Sequence, residues 1–151
     1  MKQKYKTIIG MAVFCLLVLS TKSYAQNQNK DTAHVFVRSD LKINKFYSKS
    51  ELEKLPKLDL ISIYKNRLEY LIEVLPFLSL HPKPGSTFHD MSIPETQENI
   101  YHLDKETENK QGFITSLFAT LDDVVPYSEK ENIIWCIMFF EEMIKKSDYV
   151  K

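Results

Sequence analysis

The sequence predicts an all-α fold, a small bundle of about four helices with an extended N-terminal arm. Apolar residues recur at three- and four-residue spacing over several long segments, which is the pattern of amphipathic helices. Ser–x–x–Glu pairs at capping-box spacing stand before three of these segments. No two neighbouring segments show the alternating pattern of paired strands. These observations favour helices throughout residues 48–151.

Residues 1–25 have the pattern of a cleaved Sec-type signal peptide. A lysine-rich start precedes an apolar run from Ile8 to Leu19, which is shorter than the roughly 20 residues that span a membrane. Ser23 and Ala25 are small residues at the positions that signal peptidase recognises, so we predict cleavage before Gln26. We expect bacterial export to the periplasm or the extracellular medium, with no stable membrane anchor after cleavage.

The composition of residues 26–151 suits one domain and excludes several kinds of site. The signal carries four lysines and no acid, so the remaining chain has a net negative charge and no basic cluster for nucleic acid. Cys136 is the only cysteine outside the signal, which excludes an internal disulfide. With three glycines in the whole chain, a glycine-rich phosphate loop is also excluded.

The elements follow in chain order. Residues 26–47 are predicted to form a polar and then extended arm, because a lone short strand has no partner to pair with. A main helix is predicted from Asp59, as its N-cap, to about Leu80, with a kink tolerated at Pro76. The helical segment that follows is predicted to end at Pro126, and the last helix covers Ile133–Lys146. Capping boxes mark three starts: Ser48–Glu51, Ser92–Glu95 and Ser128–Glu131.

The connection at residues 79–96 is a candidate recognition loop. It contains His81, His89 and Asp90, which are residue types that bind zinc. Their spacing matches no metal motif, so the simpler interpretation is an ordered, proline-stiffened connection, and we predict no metal and no cofactor. No catalytic motif occurs, and no catalytic residue is predicted. The alternative hypothesis is a small metal-binding protein or hydrolase-like enzyme that uses the region from His81 to Asp104.

Arg67 falls within the apolar arc of the main helix. A buried unpaired charge costs several kcal/mol, so the side chain must reach water or an acid. Glu141 and Glu142 in the last helix are available as partners. The alternative is a ligand-binding arginine, since arginine recognises carboxylates and phosphates well.

The last helix carries two apolar stripes on nearly opposite sides. One contains Ile133, Ile137, Phe140 and Ile144, and the other contains Trp135, Met138, Phe139 and Met143. A helix that is apolar all round is normally central to a fold, so we expect both stripes to be buried. The alternative is that Trp135, Phe139 and Met143 form an interface with a protein partner or a second copy. The sequence therefore predicts a non-catalytic exported domain that acts by binding, most simply to protein.

Overall fold

The computed structural model describes residues 34–80 and 82–148. In this part of the chain the elements are four α-helices and no strand, so the predicted all-α bundle is confirmed. The helices are α1 (Lys49–Leu52), α2 (Lys57–Val74), α3 (Gln97–Val124) and α4 (Lys130–Asp148), with 3₁₀ turns at Leu75–Leu80 and Val125–Tyr127. The predicted signal peptide (residues 1–25), residues 26–33 of the arm and His81 lie outside the described residues.

The capping box that begins α1 is present as predicted. The Ser48 amide donates to the Glu51 carboxylate at 2.8 Å, and the Glu51 amide donates to Ser48 Oγ at 3.4 Å. A hydrogen bond from Lys45, followed by those from Ser48, lowers the pKa of Glu51 to about 2. The short helix is thus fixed by local polar contacts, while Leu52 is fully buried beneath it.

The boundaries of α2 differ from the predicted ones at both ends. The helix begins at Lys57 after Pro56, so Asp59 lies in its first turn and is not its N-cap. The α-helical part ends at Val74, and residues Leu75–Leu80 continue as a 3₁₀ turn. Pro76 has no N–H to donate to the carbonyl of Ile72, so the α-helical ladder cannot continue through it.

The predicted helix start at Ser92–Glu95 is wrong. Ser92 has a φ of 55°, in the left-handed region, which belongs to a turn. Helix α3 begins at Gln97, and Thr96 caps it because its hydroxyl accepts from the Asn99 amide at 3.2 Å. From there α3 is continuous to Val124, and the chain turns at Pro126 as predicted.

The last helix is longer than the predicted range Ile133–Lys146, because α4 covers Lys130–Asp148. Its start lies one residue after the position that a Ser128 cap predicts. A Ser128 N-cap would make Glu129 the first helical residue, but α4 starts at Lys130. The Ser128 amide instead donates to the Val125 carbonyl at 2.9 Å and closes the preceding 3₁₀ turn.

Helices α2 and α4 lie side by side and run in the same direction. Their N-terminal halves share one core cluster: Leu60, Ile61, Ile133, Ile134 and Ile137. Their C-terminal halves share a second: Tyr70, Leu71, Val74 and Ile144. Helix α3 runs antiparallel to α2, because Asp122 at its end meets Lys65 at 2.7 Å and Gln111 in its middle meets Glu73 at 3.1 Å. Helix α2 is therefore the central element.

The described part of the arm, residues 34–47, lies against the bundle without forming a strand. One isolated bridge joins Val35 to Thr87, and the side chains of Phe36 and Val37 are buried. The Gly85 amide donates to the Val37 carbonyl at 2.9 Å. Gly85 has a φ of +85°, a backbone conformation that favours glycine. The arm and the connection at residues 82–96 thus hold each other in place.

Candidate functional site

One side of α4 is exposed and aromatic. Trp135 is 64% exposed, Phe139 45% and Met138 40%, and the rings of Trp135 and Phe139 stack with centroids 5.4 Å apart and planes at 5°. The expectation that both stripes of this helix are buried is therefore wrong. Helix α2 covers one side of α4, while Trp135, Met138 and Phe139 of the second stripe stay exposed. Met143 of the same stripe is partly buried against the core cluster that contains Leu71.

A groove between α2 and α4 continues this exposed side. It has a volume of about 630 Å³, and its walls are almost entirely apolar. Leu68, Ile72, Leu75 and Pro76 line it from α2 and the 3₁₀ turn, and Phe139 and Met143 line it from α4. We call it the α2–α4 groove.

Local sequence features shape the α2–α4 groove. The change to 3₁₀ geometry at Pro76 leaves Leu75 42% exposed at its rim. The ring of Phe140 stacks on Tyr64 at 5.6 Å and anchors the inner side of α4. The adjacent Phe139 therefore projects outward, since neighbouring residues on a helix point about 100° apart.

Arg67 is held entirely by protein groups. Its side chain is buried, and Nε and Nη2 donate to one oxygen of buried Glu141 at 3.0 and 2.9 Å. Nη2 also donates to the Lys45 carbonyl and Nη1 to Asn66 Oδ1. The second Glu141 oxygen accepts from the Tyr47 amide at 2.9 Å. The pair thus joins α2, α4 and the arm, and the geometry does not support a ligand-binding arginine.

A second buried charge cluster lies on the side of α2 opposite Arg67. Glu73 is fully buried, and its Oε2 lies 2.9 Å from Lys110 Nζ as an ion pair outside good hydrogen-bond geometry. Gln111 donates to the other Glu73 oxygen, and Arg38 in the arm donates to Glu69 at 2.6 Å. The arm and α3 cover this polar side of α2, so its charges are paired inside the fold.

The described residues of the candidate recognition loop do not converge on a site. Hydrogen bonds from the Thr87 amide and hydroxyl, both 2.8 Å, hold Asp90 and lower the pKa of its carboxyl. His89 is exposed, and Asp104 pairs with His34 at 3.2 Å. Within residues 34–80 and 82–148, no three His, Cys, Asp or Glu side chains are grouped to hold a metal. Asp90 therefore stabilises a turn.

Cys136 lies on α4 between the two stripes. Its side chain is partly buried, and burial raises the pKa of the thiol, which disfavours the thiolate that a nucleophile needs.

Among the described helices, none is both long enough and apolar enough for a membrane crossing. Comparisons with protein-family models, curated proteins and solved structures give no match to this chain.

The sequence identified the residues of the exposed surface but not their exposure. Trp135, Phe139 and Met143 are brought together with the α2–α4 groove, whereas Arg67 lies inside the fold and Asp90 lies in a separate loop. The sequence pattern does not identify Leu75 and Pro76 as residues that line the groove. The proline within an apolar helix was the available signal, because it ends the α-helix where the groove opens.

Proposed function

We propose that this protein is an exported, non-catalytic domain that acts by binding to protein, a different one or a second copy, through the exposed side of α4 and the α2–α4 groove. The observation that carries the proposal is the stacked Trp135–Phe139 pair at the surface. Exposed aromatic and Met side chains beside an apolar cleft are characteristic of protein interaction sites, where Trp is among the residues that contribute most to affinity.

The chemistry of the groove supports binding to apolar side chains. Its lining residues offer no charged side chain and no nucleophile, and the polar part of the wall is small. A catalytic or small-molecule site needs a few convergent polar groups. An apolar groove between two helices suits a helix of a partner, which places anchors at three- and four-residue spacing. No observation in the described residues favours a metal-binding or hydrolase-like function in the His81–Asp104 region.

Site-specific photo-crosslinking tests the binding surface. A benzophenone amino acid in place of Trp135 is expected to give a covalent adduct with a protein after irradiation in the native compartment. The same substitution at Tyr101, which is 59% exposed on α3, is the matched control and is expected to give none. Equal labelling from both positions, or no adduct from position 135, would contradict the proposed surface.

Export is supported by the charged start, apolar run and small-residue site of residues 1–25. Mass spectrometry of the exported chain is expected to find Gln26 as its first residue. A full-length chain confined to the cytoplasm would overturn this part of the proposal.

A further inference from the structure

The exposed side of α4 has opposite charges at its two ends. Exposed Glu131 lies near the N-terminus of the helix, and exposed Lys145 and Lys146 lie near its C-terminus. Within the chain, Lys146 also pairs with Glu142 at 2.8 Å, and Lys145 lies over the ring of Phe46 in the arm. The aromatic and Met side chains described above occupy the middle. Glu131 and Lys146 are about 22 Å apart along the helix, at about 1.5 Å per residue, so they do not pair within one chain.

The spacing of this side is that of a helix–helix seam. Glu131, Trp135, Met138, Glu142 and Lys145 follow one another at intervals of four, three, four and three residues. This is the 3.5-residue repeat with which one helix packs along another. Trp135 and Met138 are the large apolar positions of this seam, Glu131 stands at its N-terminal end, and Glu142 and Lys145 stand towards its C-terminal end.

An antiparallel arrangement of two such helices matches the charges as well as the apolar residues. With a two-fold axis near Met138 and Phe139, Glu131 of each copy lies opposite Lys146 of the other, and the two apolar centres meet. The indole N–H of Trp135 then lies near Glu142 of the other copy and can donate to it. A parallel arrangement places Glu131 against Glu131 and lysine against lysine, which is repulsive.

We propose that the partner is a second copy of this chain, bound by antiparallel packing of the two α4 helices. The inference rests on the proposed function, because it uses the same surface and names its occupant. With a two-fold axis, both copies use the same surface, so the contact is self-complementary and assembly stops at a dimer. The same Glu131–Lys146 pairing then occurs at each end of the interface. Complementary charges set the antiparallel register, while the buried aromatic side chains supply most of the affinity.

Charge exchange between the two ends tests this arrangement. The purified protein is expected to sediment as a dimer. Glu131→Lys alone and Lys146→Glu alone are each expected to raise the dimer dissociation constant about tenfold, since each change turns both end contacts from attraction into repulsion. An equimolar mixture of the two variants is expected to recover wild-type association, because the mixed dimer has opposite charges at both ends. Glu98→Lys, an equal charge change on α3, is expected to leave association unchanged.

The mixture separates a specific contact from a folding defect, because both variants must be folded to restore each other. A wild-type chain that remains monomeric at concentrations of hundreds of micromolar would overturn the inference. Two variants that stay monomeric when mixed would overturn the antiparallel register. If the chain is monomeric while the crosslink from position 135 captures a different protein, the proposed function stands and the second copy is excluded. If the chain is monomeric and position 135 gives no adduct, both proposals fail.

Discussion

On one side of α4, Ile133, Ile137 and Ile144 are at most 3% exposed, while on the other Trp135, Met138 and Phe139 are 40–64% exposed. Both sides are apolar, so the hydrophobic pattern of the helix does not distinguish them. What distinguishes them is the neighbouring element: α2 covers the first side, and α3 packs against α2 on the side away from α4. Apolar periodicity therefore identifies the sides of a helix that are suited to burial. The number and arrangement of the neighbouring helices decide which of those sides is actually buried.

The largest difference in stability between the two sides of α4 is expected from a change at Glu141, the charged residue on its buried side. Glu141→Gln keeps the shape of the side chain and leaves buried Arg67 without a compensating charge. We expect a loss of about 3–5 kcal/mol in the free energy of unfolding, because one member of a buried ion pair is left alone. Urea denaturation followed by circular dichroism measures it.

The adjacent carboxylate provides the control for Glu141. Glu142 lies on the exposed side, where a hydrogen bond from Lys146 at 2.8 Å lowers the pKa of its carboxyl. At protein concentrations below the dimer dissociation constant, Glu142→Gln is expected to leave the unfolding midpoint of the single chain unchanged, since exposed ion pairs contribute little. Equal losses in the two variants would show that the two sides of α4 do not differ as described.

A smaller but related effect separates the two apolar stripes. Ile137→Ala removes a fully buried side chain, and we expect a loss of about 2–5 kcal/mol from lost burial and the cavity left behind. Trp135→Ala removes a larger side chain from the surface, and it is expected to change the stability of the dissociated single chain by no more than about 0.5 kcal/mol. The same Trp135 variant is expected to lose association, which sedimentation measures. A strongly destabilised Trp135 variant would mean that this side of α4 is covered within the chain.

The sequence predicted those features that depend on neighbouring residues. The helical class, the capping box at Ser48 and the turn at Pro126 are local, and each is present in the structure. The predicted start at Ser92 failed because Phe88 and Met91, both buried, hold the connection in a turn that places Ser92 in a left-handed conformation. A capping box stabilises a helix start, but tertiary contacts decide whether that start is used.

The candidate site was predictable in its residues and not in its geometry. A Trp–x–x–x–Phe spacing on a helix is visible in the sequence, but whether α2 or solvent meets it depends on packing between distant segments. Burial of Glu73 is another case. Its four-residue spacing from Lys65 and Glu69 gives α2 a charged side, but Glu73 is enclosed because the arm and Lys110 of α3 reach it. Hydrophobic periodicity within one helix does not show which distant segments of the chain pack against it.

The contact between Arg67 and Glu141 also determines when the fold can be completed. It joins residues 74 positions apart, and the Tyr47 amide bonds the same carboxylate across 94 positions. The acceptor belongs to the last helix, which leaves the ribosome after every other described element. Until then Arg67 and the Tyr47 amide lack this acceptor, and the end of the arm at Tyr47 lacks this contact with the bundle. Long-range contacts of this kind slow folding, and for the export that we propose, slow folding would leave the chain in the extended form that threads through a secretion channel.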